Sequence, residues 1–319
     1  MTSHLPSPCA PLRVGTRGSP LALAQAHEVR DRLVAAFDLP DTAFKVVVVR
    51  TTGDDRAMIA SDTPLKVMGG KGLFTREIEA ALLDGGIDIA VHSMKDMPVA
   101  QPDGLVLDTF LPRADVRDAF VAPAHDGLAE LPEGAVVGTS SLRRRAQVLA
   151  AYPHLRVVEF RGNVQTRLRK LADGVAACTF LAMAGLSRLG RPEVARRALS
   201  PEDMLPAVAQ GAIGIERRRG DTRTAALLER IHDAATATQL AAERAFLAGL
   251  DGSCETPIAG LAEVANDTLR LRGEILRPDG SERLCDEGTA PPEDGPELGR
   301  AMAARLLSRV GPGFFDWRG

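Results

Sequence analysis

The sequence predicts an α/β protein: two α/β domains joined by a hinge, followed by a smaller C-terminal α+β domain. Three patterns carry that expectation. From residue 12 onward, short β-branched or apolar segments alternate with helix-length amphipathic ones, the spacing of βαβ units in a parallel sheet. After Leu111-Pro112-Arg113-Ala114-Asp115, which reads as a linker, the alternation starts again. Beyond Ser200 it breaks at Pro201 and Pro206, and the last stretch holds a hairpin and a single helix. The expected boundaries are 12–112 with 206–230 for a discontinuous first domain, 116–202 for the second and 234–319 for the third. A chain of 319 residues, 45% of them hydrophobic, is long enough to bury that many cores.

Each element has a local reason. Leu12-Arg13-Val14-Gly15-Thr16 reads as a strand, and Ser19 caps a helix with Pro20 in its first turn that runs to about Phe37. Phe44 to Arg50 is β-branched and strand-like. Phe74 to Leu83 is an amphipathic helix stopped by Gly85-Gly86, and Ile87 to Val91 is a third strand. The second set comprises strands at 119–121, 135–138, 156–160 and 176–182, with helices at 141–151 and 163–172. Ala212 to Glu216 adds a strand, followed by helices at about 222–232 and 236–249. Thr268 to Leu276 and Arg283-Leu284-Cys285 flank a Pro278-Asp279-Gly280 turn, and a helix at about 295–309 follows.

Charge and composition exclude several classes. Net charge is −3, so the basic groups are local features rather than a broad field for nucleic acid or a membrane surface. With one Trp and one Tyr, a base-stacking platform has no material. No run approaches the ~18 apolar residues of a membrane span. Met1 to Pro11 lacks the basic and apolar regions of a signal peptide and reads as a disordered leader. The four cysteines, Cys9, Cys178, Cys254 and Cys285, show no CxxC spacing and fit free thiols in a reducing cytoplasm. The six histidines form no HExxH or Cys/His cluster, so no metal is expected.

Thirty-four of the 39 basic residues are arginine, and they gather at corners where a strand gives way to a helix. Thr16-Arg17-Gly18-Ser19, Ser140-Ser141-Leu142-Arg143-Arg144-Arg145 and Arg161-Gly162-Asn163 with Arg167-Leu168-Arg169-Lys170 are three such corners. A cation in a first helical turn opposes the macrodipole by about 0.3–1 kcal/mol, so its repetition points to an anionic partner. Helix N-termini offer N–H groups to anions, and arginine adds a planar fork matched to carboxylate or phosphate. Single charge runs are usually solvated faces; three corners turned to one cleft would make a polyanion site.

Val91-His92-Ser93-Met94-Lys95-Asp96-Met97-Pro98 ends the third strand, where ligands bind in open α/β sheets. Lys95 and Asp96 there combine an anion clamp with a carboxylate, while His92 reads as a buried, hydrogen-bonded histidine rather than a base. Gly69-Gly70-Lys71-Gly72 is not a phosphate loop, because no glycine stands at position 65 and Gly72 takes the Ser/Thr position. It reads as part of a glycine-rich lid loop from about Thr52 to Leu73. Cys254, in Leu250-Asp251-Gly252-Ser253-Cys254-Glu255-Thr256-Pro257, is either an inert buried thiol or a reactive loop thiolate.

Taken together, these segments resemble the porphobilinogen deaminase (hydroxymethylbilane synthase) family. The resemblance is carried by Gly15-Thr16-Arg17-Gly18-Ser19-Pro20-Leu21-Ala22, Gly69-Gly70-Lys71-Gly72-Leu73-Phe74, Ala90-Val91-His92-Ser93-Met94-Lys95-Asp96 and Gly138-Thr139-Ser140-Ser141-Leu142-Arg143-Arg144. Arg161-Gly162-Asn163-Val164, Ala184-Gly185-Leu186, Gln210-Gly211-Ala212 and Gly252-Ser253-Cys254 extend it. It implies two periplasmic-binding-protein-like domains and a monomer acting on porphobilinogen, without nucleic acid or membrane. It further implies a dipyrromethane cofactor on Cys254 and Asp96 as the catalytic carboxylate. Arg17, Ser19, Lys95, Ser141, Arg143, Arg144, Arg161, Arg167 and Arg188 would bind acetate and propionate groups, with Phe74, Gln210 and Lys71 lining the cleft. Four substrate units would be joined head to tail with loss of ammonia, and the tetrapyrrole released by water. Lys66 departs from the family's pattern in the glycine-rich loop. Two rivals stand beside this reading: a hinged anion receptor, which needs no cysteine loop, and a phosphate-ester enzyme, which lacks a phosphate loop and metal ligands.

Overall fold

A computed structural model of the chain describes residues 5–51, 75–252 and 256–318. The chain divides into two compact units, Met1–Ala114 with Ala212–Ala237, and Asp115–Gly211 with Thr238–Gly319. Residues 5–11 differ from the expected disordered leader, since Ser7 and Ala10 pair their backbones across a tight turn at 3.0 and 3.2 Å.

The first unit is built on β1 (Leu12–Thr16), β2 (Phe44–Val48), β3 (Ile89–Ser93), β4 (Leu105–Phe110) and β10 (Ile213–Arg218), ordered β2-β1-β3-β10-β4. β1 runs parallel to β2 and β3, and β10 runs antiparallel to both of its neighbours. The helix α1 (Pro20–Phe37) starts where expected: the Ser19 hydroxyl accepts from the Ala22 N–H and proline occupies the first turn. With α2 (Arg76–Leu83) and α6 (Thr222–Glu229) it covers the sheet. Val14, Val29, Leu33, Ile89, Ile213, Ile215 and Leu227 form one buried cluster with α1 and α6, and Ile78 and Leu82 of α2 form another with Ile87, Ala90 and Leu105.

The second unit repeats the plan. β5 (Asp118–Val121), β6 (Val136–Gly138), β7 (Arg156–Val158), β8 (Cys178–Ala182) and β9 (Arg197–Ala198) are ordered β7-β6-β8-β5-β9. Three strands are parallel and β5 is antiparallel to β8 and β9. The helices are α3 (Leu142–Ala151), α4 (Val164–Ala172) and α5 (Met183–Arg188), with Phe120 and Phe180 tilted together at a 6.2 Å centroid separation in the core. The same unit holds an antiparallel meander of β11 (Ile258–Ala265), β12 (Thr268–Leu276) and β13 (Arg283–Ala290). It is accompanied by α7 (Ala234–Gly249) and α8 (Gly295–Arg309), and Phe246 of α7 is fully buried.

The architecture is mixed α/β with a smaller C-terminal sheet, and each large sheet is mixed rather than purely parallel. The reason is connectivity. β5 follows the chain's crossing into the second unit and β10 its return, so neither needs the crossover helix that forces a parallel neighbour. β4, β9 and β11 were not expected. β11 is alanine- and glycine-rich, a poor strand by propensity, and is held by eight registered pairs with β12. Among the described residues no helix is long and apolar enough to cross a membrane.

Candidate active site

In the first unit the β1–α1 corner and the end of β3 converge on one pocket, lined among others by Arg17, Ser19, Gln25, His92, Ser93 and Asp96. Lys95 and Asp96 sit on a short 3-10 turn, Met94–Asp96, which leaves Lys95 half-buried and Asp96 exposed. That turn is seated from below, because Met94 is buried and its N–H donates to Ala212 at 3.1 Å. Gly214 of β10 leaves room for it, since a Cβ at that position would run into the Met94 sulfur. Ser19 is occupied as the α1 cap, 3.3 Å from the Ala22 nitrogen. The Ser93 hydroxyl and the Gln25 amide bond to each other, 2.8 Å from Nε2 and 3.0 Å from Oε1.

Behind this pocket lies a buried titratable group that sequence reading did not find. His92 is buried, as expected, and its Nε2 stands 3.2 Å from Glu216 Oε2 on β10. Glu216 is fully buried, and its Oε1 has no hydrogen-bond partner among the described residues. Glu79 of α2 is buried nearby. Burial pushes its carboxyl up, and the charge of Glu216 adds to that against the opposing Thr75, His92 and Arg76.

The second unit treats its arginines differently. Ser141 caps α3 by accepting from the Arg144 N–H at 3.4 Å, but Arg143 and Arg144 are only 4% and 5% exposed. Their guanidinium heads point inward instead of standing open. Arg143 Nη2 donates to Asp118 Oδ2 at 2.8 Å, while its Nη1 reaches Gln147 Oε1 and the Leu205 carbonyl, both at 2.9 Å. Arg144 Nη2 donates to Asp118 Oδ1 at 2.7 Å and its Nη1 to the Phe180 carbonyl at 2.8 Å. Gln210, itself 1% exposed, adds a bond from Nε2 to Asp118 Oδ1 at 2.9 Å, so its amide is turned into the protein. Burial alone would raise the Asp118 carboxyl, but the charges of Arg143 and Arg144 and the bonds from Arg144 and Gln210 hold it well below the usual range.

Two guanidinium groups thus share one carboxylate in a buried corner. The Nε atoms of Arg143 and Arg144 are buried with no hydrogen-bond partner among the described residues. The corner carries surplus positive charge and suits an acidic group, the donor set a carboxylate-bearing cofactor requires. Further along, Arg161 lies 3.9 Å from Glu159, Arg167 donates to the Gly162 carbonyl at 2.9 Å, and Arg188 donates to the Gly211 carbonyl at 3.2 Å. Phe74, Lys71, Lys66, Cys254 and the lid loop lie outside the described residues. Among the described residues no cluster of His, Cys, Asp and Glu is arranged to hold a metal ion. Asp118 and Glu216 had one visible signal: each adjoins an apolar strand segment, 119–121 and 213–215, and an acid buried there requires a partner.

A carboxylate flanked by cations at the carboxyl ends of strands, in an α/β scaffold with a second, buried cationic corner, defines a protein that handles acidic small molecules. Comparison with known sequences is more specific. Residues 12–226 match the porphobilinogen deaminase, dipyromethane cofactor binding domain, and residues 237–308 match the porphobilinogen deaminase C-terminal domain. The chain belongs to the porphobilinogen deaminase family. It is 64% identical over 315 residues to a porphobilinogen deaminase of Paracoccus denitrificans, covering 99% of each chain. It is 51% identical over 311 residues to a chloroplastic porphobilinogen deaminase of Pisum sativum, covering 96% of this chain and 83% of the relative. Among solved structures it is similar to the Bordetella pertussis BvgS VFT2 domain, at 16% identity and a TM-score of 0.41, over 73% of this chain and 90% of that one.

Proposed function

We propose that this chain is a transferase that joins four porphobilinogen units head to tail, releasing ammonia at each step, and then frees hydroxymethylbilane by hydrolysis in tetrapyrrole biosynthesis. The observation that supports it most is Asp96 exposed in a pocket with Arg17, on a turn that also carries Lys95. Each substrate brings two carboxylates, which Arg17 and Lys95 attract, while Asp96 remains for chemistry. When ammonia departs, the carbon left behind is cationic. Asp96 lowers the energy of that cation, accepts hydrogen bonds from pyrrole N–H groups and takes up the proton lost on bond formation.

A dipyrromethane group held through Cys254 would supply the first pyrrole nucleophile. The residues proposed to hold its acid groups are Ser141, Arg143 and Arg144, with Arg161, Arg167 and Arg188 for the lengthening chain. The surplus charge of the Asp118 corner favours that reading. Ser19 acts as a helix cap that positions Arg17, and Phe74, Lys71 and Gln210 complete the cleft lining in this proposal. The division into domains 12–112 with 206–230, 116–202 and 234–319 belongs to it as well. So do a monomeric state, a cytoplasmic location and independence of nucleic acid and membranes.

An aldehyde reagent for free pyrroles tests the reading directly. Colour should remain with the denatured wild-type protein, and intact-mass measurement should find two pyrrole units on the Cys254 peptide. Cys254→Ser should lose both signals, whereas Cys9, Cys178 and Cys285 variants should keep them. An unmodified, fully active protein would overturn the assignment.

A further inference from the structure

Arg143 is not oriented by Asp118 alone; a chain of bonds reaches it from the C-terminal sheet. Glu274 lies on the central strand β12 and is 1% exposed. A carboxylate at that depth costs several kcal/mol unless it is paired on both oxygens. Its Oε2 accepts from Arg283 of β13, at 2.7 Å from Nε and 2.6 Å from Nη2. Its Oε1 accepts from Gln147 Nε2. Gln147 stands one helical turn beyond Arg143 on α3, and its Oε1 accepts from Arg143 Nη1 at 2.9 Å. The turn between β12 and β13 packs on the same helix: a Cβ at Gly280, where φ is +74°, would lie 2.5 Å from the Ala150 nitrogen.

The chemistry of the amide makes this chain directional. A glutamine side chain can face either way, with its oxygen or its NH2 toward a neighbour. An ionised carboxylate only accepts, so Glu274 draws the NH2 of Gln147 to itself and turns the amide oxygen toward Arg143. Reversed, the amide would set its NH2 against the guanidinium, donor against donor, and its oxygen against the carboxylate. The Leu205 carbonyl accepts from both Gln147 Nε2 and Arg143 Nη1 at 2.9 Å, which ties the two side chains to one acceptor. With Nη1 so engaged, Nη2 is left for Asp118.

We infer that Glu274 is a positioning residue for cofactor loading: acting through Gln147, it sets the orientation of Arg143 in the cationic corner. This rests on the reading that the corner holds the cofactor's acid groups. It gives the C-terminal sheet a role in loading.

The test follows loading rather than turnover. Cofactor-free full-length chains are fed porphobilinogen, and acquisition of the two-pyrrole mass is timed by intact-mass spectrometry. Glu274→Leu removes the carboxylate while filling its volume, a kind of replacement that buried ion pairs often tolerate. Glu274→Gln, which keeps size and polarity, serves if the leucine variant does not fold. Either should slow loading by about tenfold, the lower end of the effect of removing outer partners of metal ligands. The KM of the loaded fraction for porphobilinogen should rise more than its kcat falls. Because Glu274 acts through Gln147, combining Glu274→Leu with Gln147→Ala should slow loading no more than Gln147→Ala alone. A purely structural glutamate would lower Tm, leave the loading rate of the folded fraction unchanged and add to the Gln147 effect; that result overturns the inference. Arg143→Ala separates the two layers. If it loads at the wild-type rate, the reading of the corner fails; if it is slow while both Glu274 variants load normally, only the role of Glu274 fails.

Discussion

The two large sheets share an order, with one antiparallel strand inserted beside the edge, and each inserted strand carries a fully buried carboxylate. In the first sheet that acid is Glu216, which meets a histidine and leaves one oxygen without a partner among the described residues. In the second it is Asp118, with both oxygens engaged by guanidinium groups. The contrast separates two ways of using charge. The first sheet leaves its interior carboxylate only half engaged, and it keeps Arg17, Lys95 and Asp96 half-buried or exposed at the strand ends. The second draws Arg143 and Arg144 inside and sets a single carboxylate, Asp118, against the pair. In the proposed function, chemistry is assigned to the first arrangement and a permanent electrostatic seat for an acid to the second.

The sharpest break of that comparison is Asp118→Asn. It leaves two buried guanidinium groups without a carboxylate, and breaking a buried ion pair in this way costs about 3–5 kcal/mol. Denaturant unfolding should reveal the loss, together with poor cofactor loading. Acid should have a related effect on the wild type. The Asp118 carboxyl lies lower in the fold than its ordinary value of 3.8, so its stabilisation is present above that value. It is lost only as pH falls further, through the lower folded value. Unchanged stability in Asp118→Asn would mean that the buried corner is not held by this carboxylate.

Asp96→Asn should show the opposite profile. Its side chain is exposed, so Tm should stay near the wild-type value. Turnover should drop by about two orders of magnitude or more, the scale of losing one preorganised electrostatic group. Steady-state rates with porphobilinogen, measured beside thermal melts, check both halves. Near-normal turnover would remove Asp96 from the mechanism.

Much of this was legible in the sequence, and what was not shares one cause. Helix starts at Ser19, Ser141 and Asn163 are local signals, and all three side chains accept from an N–H three residues on. The strand-end position of Lys95 and Asp96 follows from the same local pattern. The inward turn of Arg143 and Arg144 does not, because Asp118 lies 25 and 26 residues away. His92 meets Glu216 across 124 residues, and Gln147 meets Glu274 across 127. Periodicity and capping report neighbours within a turn or two, whereas these pairings depend on which strand is inserted beside which. The antiparallel insertion was itself invisible for that reason.

Replacing arginine by lysine should separate buried from open corners by a smaller margin. Arg143 makes directed bonds to Gln147, the Leu205 carbonyl and Asp118, and an ammonium lacks the fork to reach all three. Arg143→Lys should therefore lose about 1.5–3 kcal/mol of stability, the range for hydrogen bonds to charged groups. Arg17→Lys, at a half-buried pocket position, should keep its melting temperature. Instead, under limiting porphobilinogen, mass analysis should find it stalled with a different distribution of added pyrroles. Equal stability loss in both variants would erase the distinction between the sheets.

The smallest effect concerns Glu79 of α2 in the first unit, and it should run opposite in pH to that of Asp118. Burial, with the charge of Glu216, raises the Glu79 carboxyl above its ordinary value of 4.5. A raised carboxyl favours folding fully below the ordinary value, and that contribution is lost as pH rises through the folded one. Glu79→Gln cannot ionise and is exempt from the loss. Its stability relative to wild type should therefore improve as pH increases from mildly acidic toward neutral, in melts recorded at fixed ionic strength. Arg76 stands near enough to oppose the shift, so Arg76→Ala in the wild-type background should enlarge the pH dependence. A stability difference between Glu79→Gln and wild type that is flat in pH would mean that Glu79 is ionised in the fold. The first unit would then hold a fixed charge on a buried helical carboxylate, as the second does on Asp118.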